Sequence, residues 1–323
     1  MQGQRKNREI VGLGLNATDT LIRIPHFPEI DSKVRFHDVR VQPGGEVATA
    51  LVACAQWGLG TLYIGKVGDD DAGRMQADEF ARASVETHLT VVPDCKSQSS
   101  YILVDESAGE RTIIWDRDAR LEIRPEELHR GWFEGARALH LNGDSTGAMA
   151  QAAKWARESG TQVTIDADSV YPGIQAVLEY VDYLIVSREF PARLMGEQSL
   201  TKSLPALQRT YRSKLSAATL GHDGVLAWDG ERFHYCPAYD IQPVDTTGAG
   251  DVFHAAFLYA LLQGWEIGRS LEFCCAAAAL NCLSIGARGG IRPITEIEKF
   301  RRDGRRRNMA FSQVELEDAR SGL

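Results

Sequence analysis

One seven-residue run in this 323-residue chain carries more chemistry than any other: Asp245-Thr246-Thr247-Gly248-Ala249-Gly250-Asp251, followed at once by Val252-Phe253-His254-Ala255-Ala256-Phe257-Leu258. The second half is apolar nearly all round, which predicts a buried helix ending near Gly264. The first half is a glycine-rich turn feeding that helix. Such a junction aims several unpaired backbone N–H groups at one spot, with the positive end of the helix dipole behind them. Gly248 and Gly250 let an anion approach the backbone closely. A phosphoryl group in transfer needs that kind of cradle, because its transition state is loose and anionic and catalysis is mostly positioning and charge stabilisation. Asp251 in the first turn is placed to take the proton of an attacking hydroxyl, and the dipole would hold it ionised. On the residues alone a second reading stands beside this one, in which Asp251 only caps the helix.

The elements that must position this run alternate along the chain. Ile10 to Gly14 reads as a strand, Ala48 to Trp57 as a helix stopped by Gly58, Leu62 to Val67 as a strand and Gly73 to Ala83 as a helix. Ala138 to Leu141, Val163 to Ile165 and Tyr183 to Val186 read as buried strands with helices between them. This rhythm predicts an α/β fold with a mostly parallel sheet covered on both faces. Leu21 to Val41 and Ser99 to Trp115 break it, the second as a hairpin turning through Ser107 and Gly109. They pair either as a small separate sheet, a lid over residues 19–42 and 97–118, or as edge strands of the main sheet. Gly224 to Trp228, Asp229-Gly230 and Arg232 to Tyr235 form another hairpin pattern. The division expected is a domain over residues 1–300 and, after the shift in composition at Arg301, a basic and polar tail over 301–323, frayed or disordered.

Composition sets limits. Hydrophobic residues are 44% and charged residues 25%, enough for a sizeable core. A net charge of -8 argues against a general nucleic-acid or anionic-membrane binder. No apolar leader core follows the polar, basic start, and the apolar run Val252 to Leu262 is too short to span a bilayer, so a cytoplasmic location is expected. Cys54, Cys95, Cys236, Cys274, Cys275 and Cys282 show neither zinc spacing nor C-x-x-C and read as buried, reduced thiols. There is no G-x-x-x-x-G-K-[ST], which removes a P-loop ATPase.

The D-T-T-G-A-G-D run with its apolar helix resembles the C-terminal signature of the ribokinase-like (PfkB) carbohydrate kinase family. The likeness runs from about Val11 to Pro293: Pro43-Gly44-Gly45 with Ala48 to Leu59 is similar to the family's N-terminal G-G signature, and Gly65-Lys66-Val67-Gly68-Asp69-Asp70 with Gly73 to its G-x-V-G-x-D-x-x-G run. Thr219-Leu220-Gly221-His222-Asp223-Gly224 resembles the T-x-G-x-x-G turn bordering the nucleotide, and Cys282 and Gly286 fall where the family closes over adenine. The resemblance implies Asp251 as catalytic base and the amides of Gly248, Ala249 and Gly250 as anion hole. It implies Thr219, Gly221, Gly224, Thr247, Cys282 and Gly286 at the nucleotide, ATP with Mg2+ as cofactors, and a monovalent cation such as K+ near Asp245 and Thr247. A β lid that pairs with a second copy implies a homodimer.

At the sugar end the resemblance implies Asp19 as a substrate-binding aspartate, Asp31 as a second one from the ketohexokinase branch, and Gly44 and Gly45 as backbone donors. Carboxylates suit polyols because each accepts from two hydroxyls. Several positions depart from the family. Glu46 and Thr49 stand where G-G-N-x-x-N is usual, so Thr49 offers one hydrogen bond in place of a carboxamide. Asp144 stands where related ketose kinases often carry arginine, which argues against an anionic sugar there. Ser187-Arg188-Glu189-Phe190 replaces N-x-x-E, leaving Glu189 either to reach Mg2+ through water or to sit on the surface. Asp166 and Asp168 end another strand facing the same crevice.

The expected activity is phosphorylation by ATP of a hydroxyl, a primary hydroxymethyl, on a small ketose-like sugar. The likeness to the ketohexokinase and sulfofructose kinase branch keeps a sulfosugar kinase as an alternative. A nucleoside kinase would use Trp115 and Phe36 against a base, and a non-catalytic sugar or nucleotide sensor is the alternative from another class.

Overall fold

The computed structural model describes residues 8–107 and 110–322. Thirteen strands form two sheets among these residues. The larger has nine strands in the order β13-β12-β11-β10-β9-β8-β1-β4-β5: β1 Ile10–Leu13, β4 Thr61–Gly68, β5 Glu86–Val92, β8 Ala138–Leu141, β9 Gln162–Ala167, β10 Tyr183–Ser187, β11 Leu215–Thr219, β12 Val225–Trp228 and β13 Phe233–Cys236. Every pairing from β5 to β11 is parallel, and β12 and β13 close one edge antiparallel. The central strands are buried on both faces, which is why they read as continuous apolar runs.

Helices cover both faces. On one, α3 (Thr146–Glu158), α4 (Ile174–Leu178), α5 (Phe190–Met195) and α6 (Leu200–Tyr211) bury Met149, Ile174, Phe190 and Leu204 against the sheet. On the other lie α1 (Glu46–Gln56), α2 (Asp71–Arg82), α7 (Ala249–Leu262), α8 (Ile267–Asn281) and α9 (Ile294–Asp303). The all-round apolar composition of α7 is explained by its place between the sheet, α1 and α8.

The second sheet is separate, in the order β3-β2-β6-β7: β2 Ala17–Ile24, β3 Asp38–Gly44, β6 Ser99–Asp105 and β7 Arg111–Asp116. Its faces differ. In one cross-strand row Asp19 stands beside Ser100 and Ser100 beside Trp115; in the next Leu21, Ile102 and Ile113 align. These rows face the main sheet. On the outer face Val41, Thr20, Tyr101 and Ile114 align, and Val41, Tyr101 and Ile114 are exposed. The lid reading is thereby chosen over edge strands. Of the expected hairpin turn, Gly109 lies outside the described residues.

One expectation changes, that of a frayed tail, and two elements, β5 and a last helix, are added. The strand β5 carries no clear alternation because it lies at an edge with little of it buried, and it is invisible in the pattern. The tail is not frayed across 301–307. Arg301 bonds Glu298 and Glu272, Asp240 and Arg307 exchange backbone bonds with Arg305 and Ala238, and the Arg306 guanidinium lies 3.7 Å from the Tyr239 ring centre. A further helix, α10 (Gln313–Ser321), follows with a Ser312–Glu315 capping box. The six cysteines are buried and unpaired. Among the described residues no helix is long and apolar enough to cross a membrane.

Candidate active site

The turn into α7 is built from backbone. Gly248 caps α7 with φ 74, and a Cβ there would stand 2.3 Å from the Ala287 carbonyl oxygen, so only glycine fits. Gly250 faces open space, leaving its side of the helix start clear for a ligand. The turn is fastened from behind. Asp245 accepts from the Thr247 amide (2.8 Å) with one oxygen and from the Gly286 amide (2.7 Å) with the other. Buried Asn281 donates to the carbonyls of Thr247 (3.2 Å) and Ala287 (3.1 Å) and accepts from the Gly290 amide. The Thr247 hydroxyl is buried without a partner.

Asp251 faces a cavity of about 360 Å³ that also holds Asp19, Glu46, Asp144, Asp168, Arg111 and Arg117. Burial, then the charge of Asp166, pushes the Asp251 carboxyl up to about 7. This corrects the expectation that the helix dipole holds it firmly ionised: enclosure and a neighbouring carboxylate outweigh the dipole. A base titrating near neutrality suits proton transfer. Asp166 is committed elsewhere, in a 3.2 Å ion pair with His254 one turn along α7. Burial raises Asp166, yet the charge and hydrogen bond of His254 outweigh that and hold it below the usual carboxylate range. His140, buried behind this pair, is pushed down to about 3 by burial and by His254.

At the sugar end Asp19 projects from β2 toward the cavity, raised to about 6 by burial. A Cβ on Gly44 would stand 1.9 Å from its carboxylate, so that glycine is needed for close approach. Gly45 also lines the cavity. Thr49 does not: it is fully buried and accepts from the Arg288 guanidinium at 3.1 Å. Arg288 also donates to the Gly44 carbonyl at 2.9 Å. Asp31 is exposed on the segment between β2 and β3, outside the cavity, with φ 62.

At the nucleotide side Thr219 ends β11, and Gly221 and Gly224 flank the turn after it. Cys282 is buried, and its carbonyl accepts from the Val244 amide at 2.8 Å. Val244 and Leu283, unremarked in the sequence, leave a small exposed apolar step there. Gly286 is pressed by Gln42 from the lid. Glu189 is exposed and outside the cavity, while its neighbour Arg188 pairs with Asp223. Among the described residues no group of three ligating side chains could hold a metal.

Four residues at or beside the cavity escape a sequence reading. Arg111 reaches from β7 to the Thr246 hydroxyl at 3.0 Å. Arg117 pairs with Asp144 and donates to the Leu121 carbonyl at 3.0 Å. A cation is therefore present where Asp144 seemed to exclude one, delivered from the lid and neutralised by Asp144. Arg288 and Asn281 brace the glycine turns. Of the four only Arg111 stood where a signal could be read, as a charged side chain at the start of a lid strand.

The glycine turn at the start of α7, Asp251 and Asp19 thus share one cavity beside the small sheet. The family model of pfkB carbohydrate kinases matches residues 15–294, and the chain belongs to that family and is an ATP-dependent carbohydrate kinase. The ribokinase of Bacillus subtilis strain 168 is 27% identical over 297 residues, covering 91% of this chain and 99% of its own. A solved protein of Agrobacterium tumefaciens, provisionally described as a ribokinase, superposes with a TM-score of 0.85 at 26% identity, covering 92% of this chain and 98% of its own. An Escherichia coli protein, provisionally a second ribokinase and solved with ATP and Mg2+, superposes at 0.79 with 19% identity, covering 91% and 98%. These relatives do not single out the ketohexokinase and sulfofructose kinase branch.

Proposed function

We propose that the protein transfers the γ-phosphoryl group of ATP to a primary hydroxymethyl of a small, ketose-like sugar. Asp251 takes the hydroxyl proton while the amides of Gly248, Ala249 and Gly250 receive the phosphoryl oxygens. The carrying observation is that Asp251, the start of α7 and Asp19 line one cavity of about 360 Å³, a volume suited to a small sugar. Adenine would rest on Val244 and Leu283, beside Thr219, Gly221, Gly224, Cys282 and Gly286. Mg2+ would supply neutralisation of the phosphate oxygens, held mainly by them and by water, as suits a site without a protein cage. For a monovalent cation near the anion hole, Asp245 has both oxygens engaged by amides, and the unpartnered Thr247 hydroxyl is the free ligand.

Trp115 on the cavity wall favours one second reading, a nucleoside acceptor, although Phe36 lies outside the cavity. ADP release measured with a panel of ketoses, aldoses, polyols and nucleosides tests both. Turnover of a sugar is expected; turnover of nucleosides alone moves the substrate, and none with any member returns the protein to a sensor. The apolar row Val41, Tyr101 and Ile114 on the lid's outer face supports a homodimer, which light scattering of the purified chain checks.

A further inference from the structure

The cavity's charges do not balance. Five carboxylates line it, Asp19, Glu46, Asp144, Asp168 and Asp251, against two guanidiniums, Arg111 and Arg117. Arg117 is bound to Asp144, and Arg111 lies at the phosphate end against Thr246. Asp251 is the base and Asp19 a hydroxyl acceptor. Among the described residues Glu46 and Asp168 form no ion pair; Asp168 has only the side-chain hydrogen bond of Ser169 and the more distant charge of Arg193. Glu46 takes a single hydrogen bond, from the Asn142 amide at 2.8 Å, and the other end of that amide, Asn142 Oδ1, is buried with no donor at all. Carboxylate acceptors on this wall outnumber its donors, which are the Tyr171 phenol and the Trp115 indole.

Both carboxyls are pushed up, Glu46 well up, by burial and then by neighbouring carboxylates. Tyr171 stands beside both, and its ring and that of Trp115 complete the wall. An ammonium group answers each of these features. It is compact, carries three donors and no acceptor, and is attracted to carboxylates and to aromatic faces. A neutral hydroxyl would leave the charges uncompensated, and a phosphate or sulfonate would add to them beside an incoming triphosphate.

We propose that the sugar phosphorylated here carries a primary amino group, held as an ammonium between Glu46 and Asp168 with Tyr171 at its side. This rests on the kinase reading above and adds the substrate's charge to it. Glu46 in place of the family's asparagine is then the specificity residue: the carboxylate pairs with an ammonium as a carboxamide cannot.

The test uses matched sets: 2-amino-2-deoxy and 1-amino-1-deoxy hexoses, their N-acetyl forms, the parent neutral sugars and the corresponding sugar acids. ADP release and thermal shift with a nonhydrolysable ATP analogue are read in parallel. Amino sugars should exceed their neutral parents about 10- to 100-fold in kcat/KM, the range of a hydrogen bond to a charged group. Glu46→Gln should bring that ratio close to one, and Asp168→Asn, the second variant should the first not fold, should lower it as well. Neutral parents equal to or better than amino sugars, or a ratio unmoved by both variants, overturns the proposal. Should no sugar turn over, the kinase reading fails separately, and the thermal shift still decides: stabilisation by amines over their N-acetyl forms supports the ammonium site, and equal or absent shifts overturn it.

Discussion

The two ends of the cavity are made differently. At the phosphate end, the groups are backbone amides and one carboxylate within four consecutive residues, 248–251, fixed by a helix start and a glycine no other residue can replace. At the sugar end, Asp19, Glu46, Arg117, Asp144 and Asp168 come from the lid and from three separate strand ends or helix starts. The first end is a local object, and on the proposed function it carries the reaction. The second is an assembly of long side chains, which a few substitutions can retune without moving the chemistry. The segment after α8 serves both, through Gly286 and Ala287 behind the anion hole and Arg288 beneath Gly44.

Changes at the phosphate end should abolish turnover whatever the sugar. Asp251→Asn is expected to cut kcat by about 10³-fold while ATP affinity, measured by calorimetry, changes little. Near-normal kcat would erase the distinction between the ends. Gly248→Ala comes next, with kcat down about 10²-fold and lowered thermal stability, because its Cβ meets the Ala287 carbonyl at 2.3 Å and forces the amides out of line.

Changes at the sugar end should instead appear in sugar KM. Gly44→Ala displaces the Asp19 carboxylate, 1.9 Å from the new Cβ, and should raise sugar KM about tenfold with ATP KM unchanged. An equal rise in both would mean that the ends are coupled more tightly than their construction suggests. The smallest effect is on stability. Asp251 has a folded pKa near 7, above its unfolded value, so the folded state binds the extra proton and loses stability as pH rises through the interval up to about 7. Asp251→Asn should therefore raise Tm by about 5 °C at high pH and by less under acid conditions, followed by calorimetry across that interval.

The same contrast decides what the sequence discloses. The glycine turn and its helix are contiguous, so periodicity and composition expose them, and the parallel strands announce themselves by burial on both faces. The lid is legible as two interruptions of the rhythm, with its turn at Gly109 outside the described residues. What is hidden is pairing across distance. That Arg117 meets Asp144, that Arg288 reaches Thr49 and Gly44, or that His254 holds Asp166 depends on segments tens to hundreds of residues apart. Asp31 and Glu189 show the opposite error, since residue type suits a site but the chain carries both to exposed positions outside the cavity.

The proton acceptor is tested most directly by the pH dependence of kcat/KM for whichever sugar proves active, in the wild type and in Asp251→Asn. The wild type should gain activity along a rising limb centred near 7, where Asp251 ionises, and the residual activity of the variant should lack that limb. A wild-type profile flat through neutrality, or the same limb in both proteins, would contradict the assignment of Asp251 as the base.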